Sequence, residues 1–479
     1  MSELPGDGDA TVPDETTEAA RATEAPEAGT REQERRRTHE VWMAGTEAPV
    51  DTGGFTSEGA QEMLPDEDAA VLAEQMGTLV SDDYLSDVTA SDEETQIINM
   101  GPQHPSTHGV LRLQLEIEGE TIRRVKPIIG YLHTGMEKTA ETLTYMQGAT
   151  NVTRMDYLSP LANELCFSLA VERLLGVAVP PRAQAIRILM TELSRIGSHL
   201  LWFATQGMDI GAVSMMIYGW REREEVLAFL EAVTGLRMNH NYIRPGGVAA
   251  DLHDGWEEDL ERVLEVVPKG LGEYEELLSA NPIFLERTQG IGVITPDEVK
   301  AFGVTGPVAR ASGVDYDVRK AFPYSGIEQY DFEVPLGKHG DVYDRYLVRL
   351  GETREALGIC RQVLETIPSG DYRTEDRKVT PPPRARIDES MEALIHHFKL
   401  FTEGFTVPAG ETYQAVESAR GELGMYLVAD GSAKPWRLHV RGPSFANLQA
   451  VPAMLTDSLL ADLVSALASV DPVMGDVDR

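Results

Sequence analysis

The spacing of hydrophobic and polar residues changes along this chain. The first clear pattern is that of a β-strand. From Val110 to Glu118, apolar and polar side chains alternate, which is the period of a half-buried strand. The apolar residues INM precede it, and the connecting loop, GPQHPSTHG, contains two glycines and two prolines. We therefore predict a strand–loop–strand unit within residues 96–130, with His104 and His108 at the tip of the loop.

Beyond about residue 134, apolar residues recur three and four positions apart, which indicates helices that bury one stripe. Three such segments follow one another, near residues 162–175, 182–205 and 226–233, and the second is long enough to form the centre of a helical bundle. A further helix is predicted over residues 343–367. The polar, aromatic and glycine-rich stretch 310–336 predicts irregular structure with short strands.

The last part of the chain returns to the pattern of strands after a run of three prolines, residues 381–383. The segments ETYQAVESARGELGMYLVADG and PWRLHVRGP predict a short antiparallel pair, and residues 454–469 predict a helix. The whole pattern predicts an α+β protein. It comprises an N-terminal hairpin (96–130), a core of long helices (131–375) and a small C-terminal unit of strands and helix (376–479).

Charge separates a tail from this body. The 479 residues include 42 Lys and Arg against 78 Asp and Glu, a formal charge of −36. Residues 1–95 alone contain 25 acidic and 5 basic residues and are rich in Thr, Ala, Gly and Pro, so we predict a largely disordered acidic extension. The excess of acids argues against nucleic acid as a partner, because phosphate binding requires clustered basic side chains.

Several kinds of chemistry lack their sequence signals. Cys166 and Cys360 are the only cysteines, so we expect neither a zinc site nor an iron–sulfur cluster held by this chain alone. There is no P-loop, no GxGxxG after a predicted strand and no GxSxG. We see neither a signal peptide nor a membrane-spanning segment, and we therefore expect the chain on the cytoplasmic side, without a span of its own.

The histidines of the GPQHPSTHG loop are the first candidates for chemistry. His104 and His108 lie four positions apart, but Pro105 argues against a continuous helix and no third ligand lies nearby in the sequence. The spacing leaves three interpretations open: a metal site, a site of proton transfer or hydrogen bonding, and a purely structural loop. His199, on the longest predicted helix, is expected to be a packed helical histidine.

Several motifs together resemble the D-type subunit of respiratory complex I, the NADH-quinone oxidoreductase. They are GPQHPSTHGVLR (101–112), GYLHTGMEK (130–138), RMDYL (154–158) and DIGA (209–212), followed by RPGG, GELGMYLVADG, RLHVRGPSF and the terminal DPVMGDVDR. The resemblance extends from Gln96 to the end of the sequence and does not include the acidic extension. It implies that family's fold, which is similar to the large subunit of [NiFe] hydrogenases.

The resemblance also implies a site. In this family the chain forms one wall of a quinone-reduction chamber, together with a neighbouring subunit that holds the terminal [4Fe–4S] cluster. By motif, His108 and Tyr157 are expected to hydrogen-bond the quinone headgroup, and Asp209 is expected to partner His108. His104 is a further candidate for quinone binding. Without the family, Tyr157 would be interpreted as a core tyrosine at the start of a helix.

The same resemblance implies that the chain acts only within a proton-translocating complex. The expected partners are the B-type iron–sulfur subunit, the C-type and I-type subunits and the H-type membrane subunit, with NADH bound elsewhere in that complex. Quinone is the expected substrate, with no metal or flavin on this chain. We expect a peripheral position on the cytoplasmic side of the cell membrane. Thr134 stands where hydrogenases and some relatives have an arginine, so no role of that arginine is carried over.

Two alternatives stay open at this point. A hydrogenase large subunit needs two C-x-x-C pairs, and the corresponding segments, 154–159 and 471–476, contain no cysteine, so nickel and iron binding is not expected. The other alternative is a non-catalytic scaffold subunit of a hydrogenase-related membrane oxidoreductase. In that case, substitution of His108 would alter assembly and leave turnover unchanged.

Overall fold

A computed structural model describes residues 95–103 and 109–479, which belong to one compact unit. Its first element is an antiparallel sheet with the strand order β1 (Gln96–Met100), β2 (Arg112–Glu118) and β3 (Thr121–Ile128). Leu113 and Leu115 of β2 are fully buried, as the alternating pattern predicts. The predicted hairpin is confirmed, and β3 extends it to three strands. Residues 1–94 of the predicted acidic extension lie outside the described residues.

In the described part of the chain, eleven α-helices follow this sheet and account for most of the residues from 136 to 366. Their bounds are α1 (Met136–Ala140), α2 (Tyr145–Val152), α3 (Pro160–Leu175), α4 (Pro181–Asp209), α5 (Ser214–Thr234), α6 (Trp256–Tyr274), α7 (Pro282–Glu286), α8 (Pro296–Phe302), α9 (Pro307–Ala311), α10 (Val318–Ala321) and α11 (Val342–Thr366). A two-stranded hairpin, β4 (Ile243–Arg244) and β5 (Gly247–Val248), separates α5 from α6. The four predicted long helices are confirmed.

The long helix α4 is the centre of the bundle. It contains 29 residues and is therefore about 43 Å long. It packs against α3, α5 and α11, and α6 packs against α5 and α11. Pro181 occupies the first helical position, where its missing N–H has no intrahelical partner to lose. The apolar stripe that predicted the helix is fully buried: Ile186, Leu189, Leu193, Ile196 and Leu200.

The structure of residues 310–336 differs from the prediction. We expected short strands there, but these residues, all of them described, contain the end of α9, helix α10 and a single 3-10 turn (Ile327–Gln329) and no strand. Charged side chains determine this conformation. Asp317 accepts a hydrogen bond from the backbone N–H of Arg319 at 2.9 Å and pairs with the Arg319 guanidinium, so the chain turns to bury an ion pair instead of extending into a sheet.

The C-terminal part contains a three-stranded antiparallel sheet, β6 (Gly410–Ser418), β7 (Gly421–Ala429) and β8 (Pro435–Arg441). The predicted pair of strands was therefore wrong in number, because ETYQAVESARGELGMYLVADG folds back on itself as β6 and β7. The turn falls at Ala419–Arg420, and Gly421 follows with a φ of 132°. A side chain at Gly421 would contact Thr305 and Gly306, so only glycine fits there.

Helices surround both sheets. The remaining ones are α12 (Met391–Thr402), α13 (Pro443–Gln449), α14 (Val451–Leu455), α15 (Leu460–Val470) and α16 (Met474–Asp478). One hydrophobic core joins the bundle to the C-terminal sheet, and a second lies between the N-terminal sheet and helices α8, α9 and α13 to α16. Among the described helices, none combines the length and the hydrophobicity needed to cross a bilayer.

Candidate functional site

The predicted site residues are divided between described and undescribed positions. His104 and His108 lie in residues 104–108, outside the described residues. Tyr157 lies in the loop between α2 and α3, and Asp209 is the last residue of α4. The site geometry therefore rests on Tyr157, Asp209 and the groups around them.

The loop that carries Tyr157 is held by the residue before it. Asp156 is 2% exposed, and its Oδ1 accepts hydrogen bonds from the backbone N–H groups of Leu158 and Ser159, both at 3.1 Å. A carboxylate that accepts from the backbone two and three positions ahead fixes a tight turn. Asn163 donates to the carbonyl of Asp156 at 3.3 Å, which ties the turn to α3. The backbone of Tyr157 is therefore fixed on both sides.

A buried guanidinium connects this loop to the C-terminal segment. Arg420 is 1% exposed; its Nη1 lies 3.2 and 3.0 Å from the two carboxylate oxygens of Asp156. Its Nη2 lies 3.0 Å from Oδ2 of Asp471, and its Nε donates to the Asp471 carbonyl at 3.2 Å. Gly475 lies so close that a side chain there would overlap the carbonyl oxygen of Met155. Segments 154–159 and 471–476, far apart in the sequence, are thus in contact.

A third buried carboxyl group lies beside this pair. Asp476 is fully buried; its Oδ2 accepts from the backbone N–H of Ser444 at 2.8 Å, and its Oδ1 has no hydrogen-bond partner among the described residues. Burial, and then the negative charge of Asp156, raise the pKa of Asp476 to about 6. The site therefore contains one guanidinium among three carboxyl groups.

Tyr157 itself is partly exposed, unlike a core tyrosine. Burial raises the pKa of its phenol, while the nearby positive charge of Arg420 opposes that shift. Its side chain borders a cavity of about 10 Å³ together with Gly197 of α4, Arg223 of α5 and His240. That cavity has room for roughly one water molecule and is too small for a quinone ring.

Asp209 lies further along the same central helix. Gly197, at the Tyr157 cavity, and Asp209 are twelve positions apart on α4, which corresponds to about 18 Å along the helix axis. No described residue forms a hydrogen bond or ion pair with the Asp209 carboxylate. Burial raises its pKa to about 6, from an ordinary value of 3.8. Its position at the C-terminus of α4 adds to this effect, because the helix dipole disfavours negative charge there.

The histidine of α4 is packed, as the pattern predicts. His199 is fully buried, and its Nε2 donates to Oε2 of Glu352 on α11 at 3.1 Å. Burial lowers the pKa of His199, although the hydrogen bond to Glu352 opposes the shift. Glu352 also pairs with the buried Arg310 at 2.7 Å. Within the described part of the chain, no group of three or more His, Cys, Asp and Glu side chains is arranged to hold a metal ion.

Sequence reasoning assigned no role to several groups that surround Tyr157. Arg420 directly precedes the motif GELGMYLVADG, and Asp471 and Asp476 lie in DPVMGDVDR. No local signal in the sequence pairs any of the three with Asp156. His240 is 4% exposed and lies at the Tyr157 cavity, where burial lowers its pKa to about 4. Its position just before the RPGG motif was the one available signal.

Comparison with known protein families shows to which class of protein this chain belongs. Residues 209–479, which include Asp209, Arg420 and the C-terminal segment, match the family of the respiratory-chain NADH dehydrogenase 49 Kd subunit. The chain is thus one component of a respiratory dehydrogenase, an enzyme complex and not a self-contained enzyme.

Individual relatives identify which component it is. The chain is 54% identical over 393 residues to a D-type subunit of the NADH-quinone oxidoreductase of Roseiflexus sp. (strain RS-1), covering 81% of this chain and 94% of that protein. It is 53% identical to a D-type subunit of Chloroflexus aurantiacus over 398 residues, 82% of this chain and 97% of the relative. It is also 53% identical to NADH-quinone oxidoreductase subunit 4 of Thermus thermophilus over 386 residues, 81% and 94% of the two chains. The chain belongs to the family of D-type subunits of the NADH-quinone oxidoreductase.

Proposed function

We propose that this chain forms one wall of the quinone-reduction chamber, with Tyr157 donating a hydrogen bond to one carbonyl of the quinone headgroup and His108 donating to the other. The observation that carries the proposal is the way in which Tyr157 is held. Its phenol is partly exposed, and its loop is fixed by Asp156 and Arg420. A core tyrosine would not need such a support. Membership of the D-type family agrees with a quinone as the substrate.

The chemistry requires donors that are in position before the electrons arrive. Two-electron reduction of a quinone to a quinol takes up two protons, and negative charge on the oxygens of a poorly hydrated ring is costly unless donors already point at them. A phenol and an imidazolium both supply such donors. The raised pKa of Tyr157 keeps its phenol protonated near neutral pH, so its proton is in place when the electrons arrive.

Asp209 is the proposed partner of His108. Its carboxylate favours the imidazolium form of His108 and orients the ring. When the reduced quinone has taken one proton from His108 and the other from Tyr157, Asp209 is left beside a neutral ring. Because the pKa of Asp209 is about 6, its charge responds to such a change near neutral pH. In this proposal the change of charge moves the loop 104–108, and that movement triggers proton translocation in the membrane partners.

The rest of the complex supplies what this chain lacks. The proposed electron donor is the terminal [4Fe–4S] cluster of the B-type subunit, which closes the chamber on its other side. The C-type and I-type subunits and the H-type membrane subunit are the other proposed neighbours, and they attach this chain peripherally to the cytoplasmic face of the membrane. A hydrogenase-like scaffold is part of the proposal: the contact between segments 154–159 and 471–476, where such enzymes have their C-x-x-C pairs, supports it.

The test uses membranes that contain the assembled complex. Tyr157→Phe and His108→Ala should each lower NADH:quinone activity about tenfold or more, because each removes one donor to a developing oxyanion. Reduction of an artificial acceptor by the upstream flavin should be unchanged. The control is Tyr426→Phe, which removes a hydroxyl that donates to Glu411 on the C-terminal sheet. Quinone activity equal to that of the control in both variants would refute the assignment.

The scaffold alternative is separated in the same preparations. A purely organising role predicts less assembled complex in the His108→Ala membranes, with unchanged turnover per complex. The proposal predicts the reverse: normal complex content, measured by immunoblot of neighbouring subunits, and reduced turnover. Both quantities are therefore measured on every variant.

A further inference from the structure

A second enclosed space lies away from Tyr157, beside the short hairpin of β4 and β5. It has a volume of about 50 Å³, which is room for roughly three or four water molecules or one phosphate-sized group. Apolar side chains form much of its wall, among them Met146, Val248, Val379 and Phe405. Two arginines, Arg244 and Arg373, complete it, and we call this space the arginine cavity.

The backbone around the arginine cavity is fixed by contacts between the hairpin and the segment 372–374. The N–H of Val248 donates to the carbonyl of Tyr372 at 3.1 Å, and the N–H of Thr374 donates to the carbonyl of Gly246 at 2.7 Å. A side chain at Gly247 would come within 2.5 Å of the Tyr372 carbonyl oxygen. The two arginines are thus carried on two segments whose relative position is set by close backbone packing.

Among the residues that the structure describes, the two arginines of this cavity lack the carboxylate partners that neighbouring arginines have. On α4, Arg187 pairs with Glu172 at 2.5 Å and Arg182 pairs with Asp251 at 2.8 Å. In contrast, no carboxylate of the described residues lies within 4.0 Å of the guanidinium of Arg244 or Arg373. Arg244 donates through Nε to the carbonyl of Asn241 at 3.0 Å, and the Arg373 guanidinium lies over the ring of Tyr372.

The nearest negative charge that acts on Arg244 is already engaged. Glu164 accepts hydrogen bonds from the hydroxyl of Thr153 and from the backbone N–H groups of residues 241–243, at 2.6 to 2.9 Å. Arg373 is close enough that its positive charge, after burial and against the effect of Glu164, helps to lower the pKa of Arg244. Two cations that repel each other across a partly apolar space would be stabilised by an anion between them.

We propose that the arginine cavity binds a phosphate group, held between the guanidinium groups of Arg244 and Arg373. A phosphate suits two guanidiniums on different walls, because its oxygens point in several directions and each can accept a charge-assisted hydrogen bond. The apolar walls strengthen both contacts by excluding water. The phosphate comes either from solution or from the headgroup of an anionic phospholipid. The arginine cavity shares no lining residue with the Tyr157 cavity, and the proposal does not depend on the proposed role of Tyr157.

Binding of inorganic phosphate to the purified full-length chain tests the proposal. Calorimetric titration at constant ionic strength, with chloride in the reference, should give saturable binding to the unchanged protein. Arg373→Gln should weaken it about tenfold or more, because one of two charge-assisted contacts is lost. Lys378→Gln is the matched control: it removes the same charge from the same segment, but its side chain is exposed and outside the cavity. It should change the affinity less than about twofold.

The choice of Arg373 keeps the test interpretable. Its guanidinium makes no hydrogen bond within the described chain, so Arg373→Gln should fold normally, which circular dichroism checks. Arg244→Gln is added as a second variant with the same expected loss. Cosedimentation with phosphatidylcholine vesicles containing phosphatidic acid distinguishes the sources. Retention that is lost in Arg373→Gln assigns the phosphate to a lipid, and phosphate binding without retention assigns it to solution. Equal phosphate affinity in the unchanged protein and Arg373→Gln, or no saturable binding to either phosphate or vesicles, overturns the proposal.

Discussion

Substitution of Arg420 by methionine should destabilise the protein strongly and release the loop that carries Tyr157. Methionine preserves much of the aliphatic volume of arginine, so the change chiefly removes the charge and its donors. Asp156 and Asp471, which are 2% and 5% exposed, would lose their shared partner while remaining buried. Asp476, buried next to them, adds a third carboxyl group to the same space.

The expected loss of folding free energy depends on the carboxylates that stay buried without the guanidinium. Removing one member of a buried ion pair costs about 3–5 kcal/mol, most of it from the charge that stays unpaired. Arg420 serves two carboxylates, so we expect the upper part of that range. The double variant Arg420→Met with Asp156→Asn removes one of the stranded charges and should recover about 1–3 kcal/mol. Non-additivity of this kind would identify the Asp156 pair as the source of the cost.

Urea unfolding of the purified full-length chain, followed by circular dichroism, measures the effect. The matched control is Arg437→Met, because Arg437 also bridges two carboxylates, Glu137 and Glu141, at 3.1 and 3.2 Å, but its side chain is 43% exposed. An exposed pair contributes about 1 kcal/mol at most. If Arg420→Met costs no more than Arg437→Met, the buried guanidinium does not hold the two segments together, and the Tyr157 loop is not fixed by it.

Two further outcomes concern the site. The pKa of Asp209 is raised from 3.8 to about 6, so this group contributes stability that is present below about pH 4 and is lost as the pH rises through 6. Asp209→Asn should therefore stabilise the chain by about 1–2 kcal/mol at pH 7.5, allowing for partial exposure, and by about 0.5 kcal/mol or less at pH 4. Unfolding at both pH values measures the difference. Gly475→Ala would place a methyl group against the Met155 carbonyl, so it should lower the free energy of unfolding by about 1–3 kcal/mol and lower quinone activity in membranes. The control, Gly272→Ala, lies in α6 with no atom within 4 Å and should stabilise the protein by up to about 1 kcal/mol. Equal effects of the two substitutions would contradict the close contact at Gly475.

Much of the fold was predictable because its signals are local. The alternation in β2 and the buried stripe of α4 each reflect which face of an element meets a core, and burial confirms both. The error in residues 310–336 arose because side chains there interact with residues far away in the sequence. Residues 310–336 form turns because Asp317 and Arg310 are drawn into buried ion pairs, with partners such as Glu417 more than 90 residues away. Hydropathy alone cannot show such partners.

The candidate site was predictable only in part. Motifs predict Tyr157 and Asp209 as site residues, and the structure places Tyr157 on a loop held by hydrogen bonds and Asp209 at the end of α4. The residue that fixes the Tyr157 loop could not be found in the same way, because Arg420 is 264 positions from Asp156 and 51 from Asp471. In addition, an arginine before a strand is ordinarily interpreted as a solvated residue. Only the folded chain shows that it is 1% exposed and paired twice.

The formal charge of −36 does not show which of the acids lie at the surface of this protein. Several of its acids are buried against arginines that join distant segments, as Asp156, Glu172 and Asp317 are. In this chain a guanidinium and two carboxylates join the distant segments 154–159 and 471–476. This link fixes the loop that carries Tyr157, and a fixed loop is what the proposed hydrogen bond from Tyr157 to quinone requires.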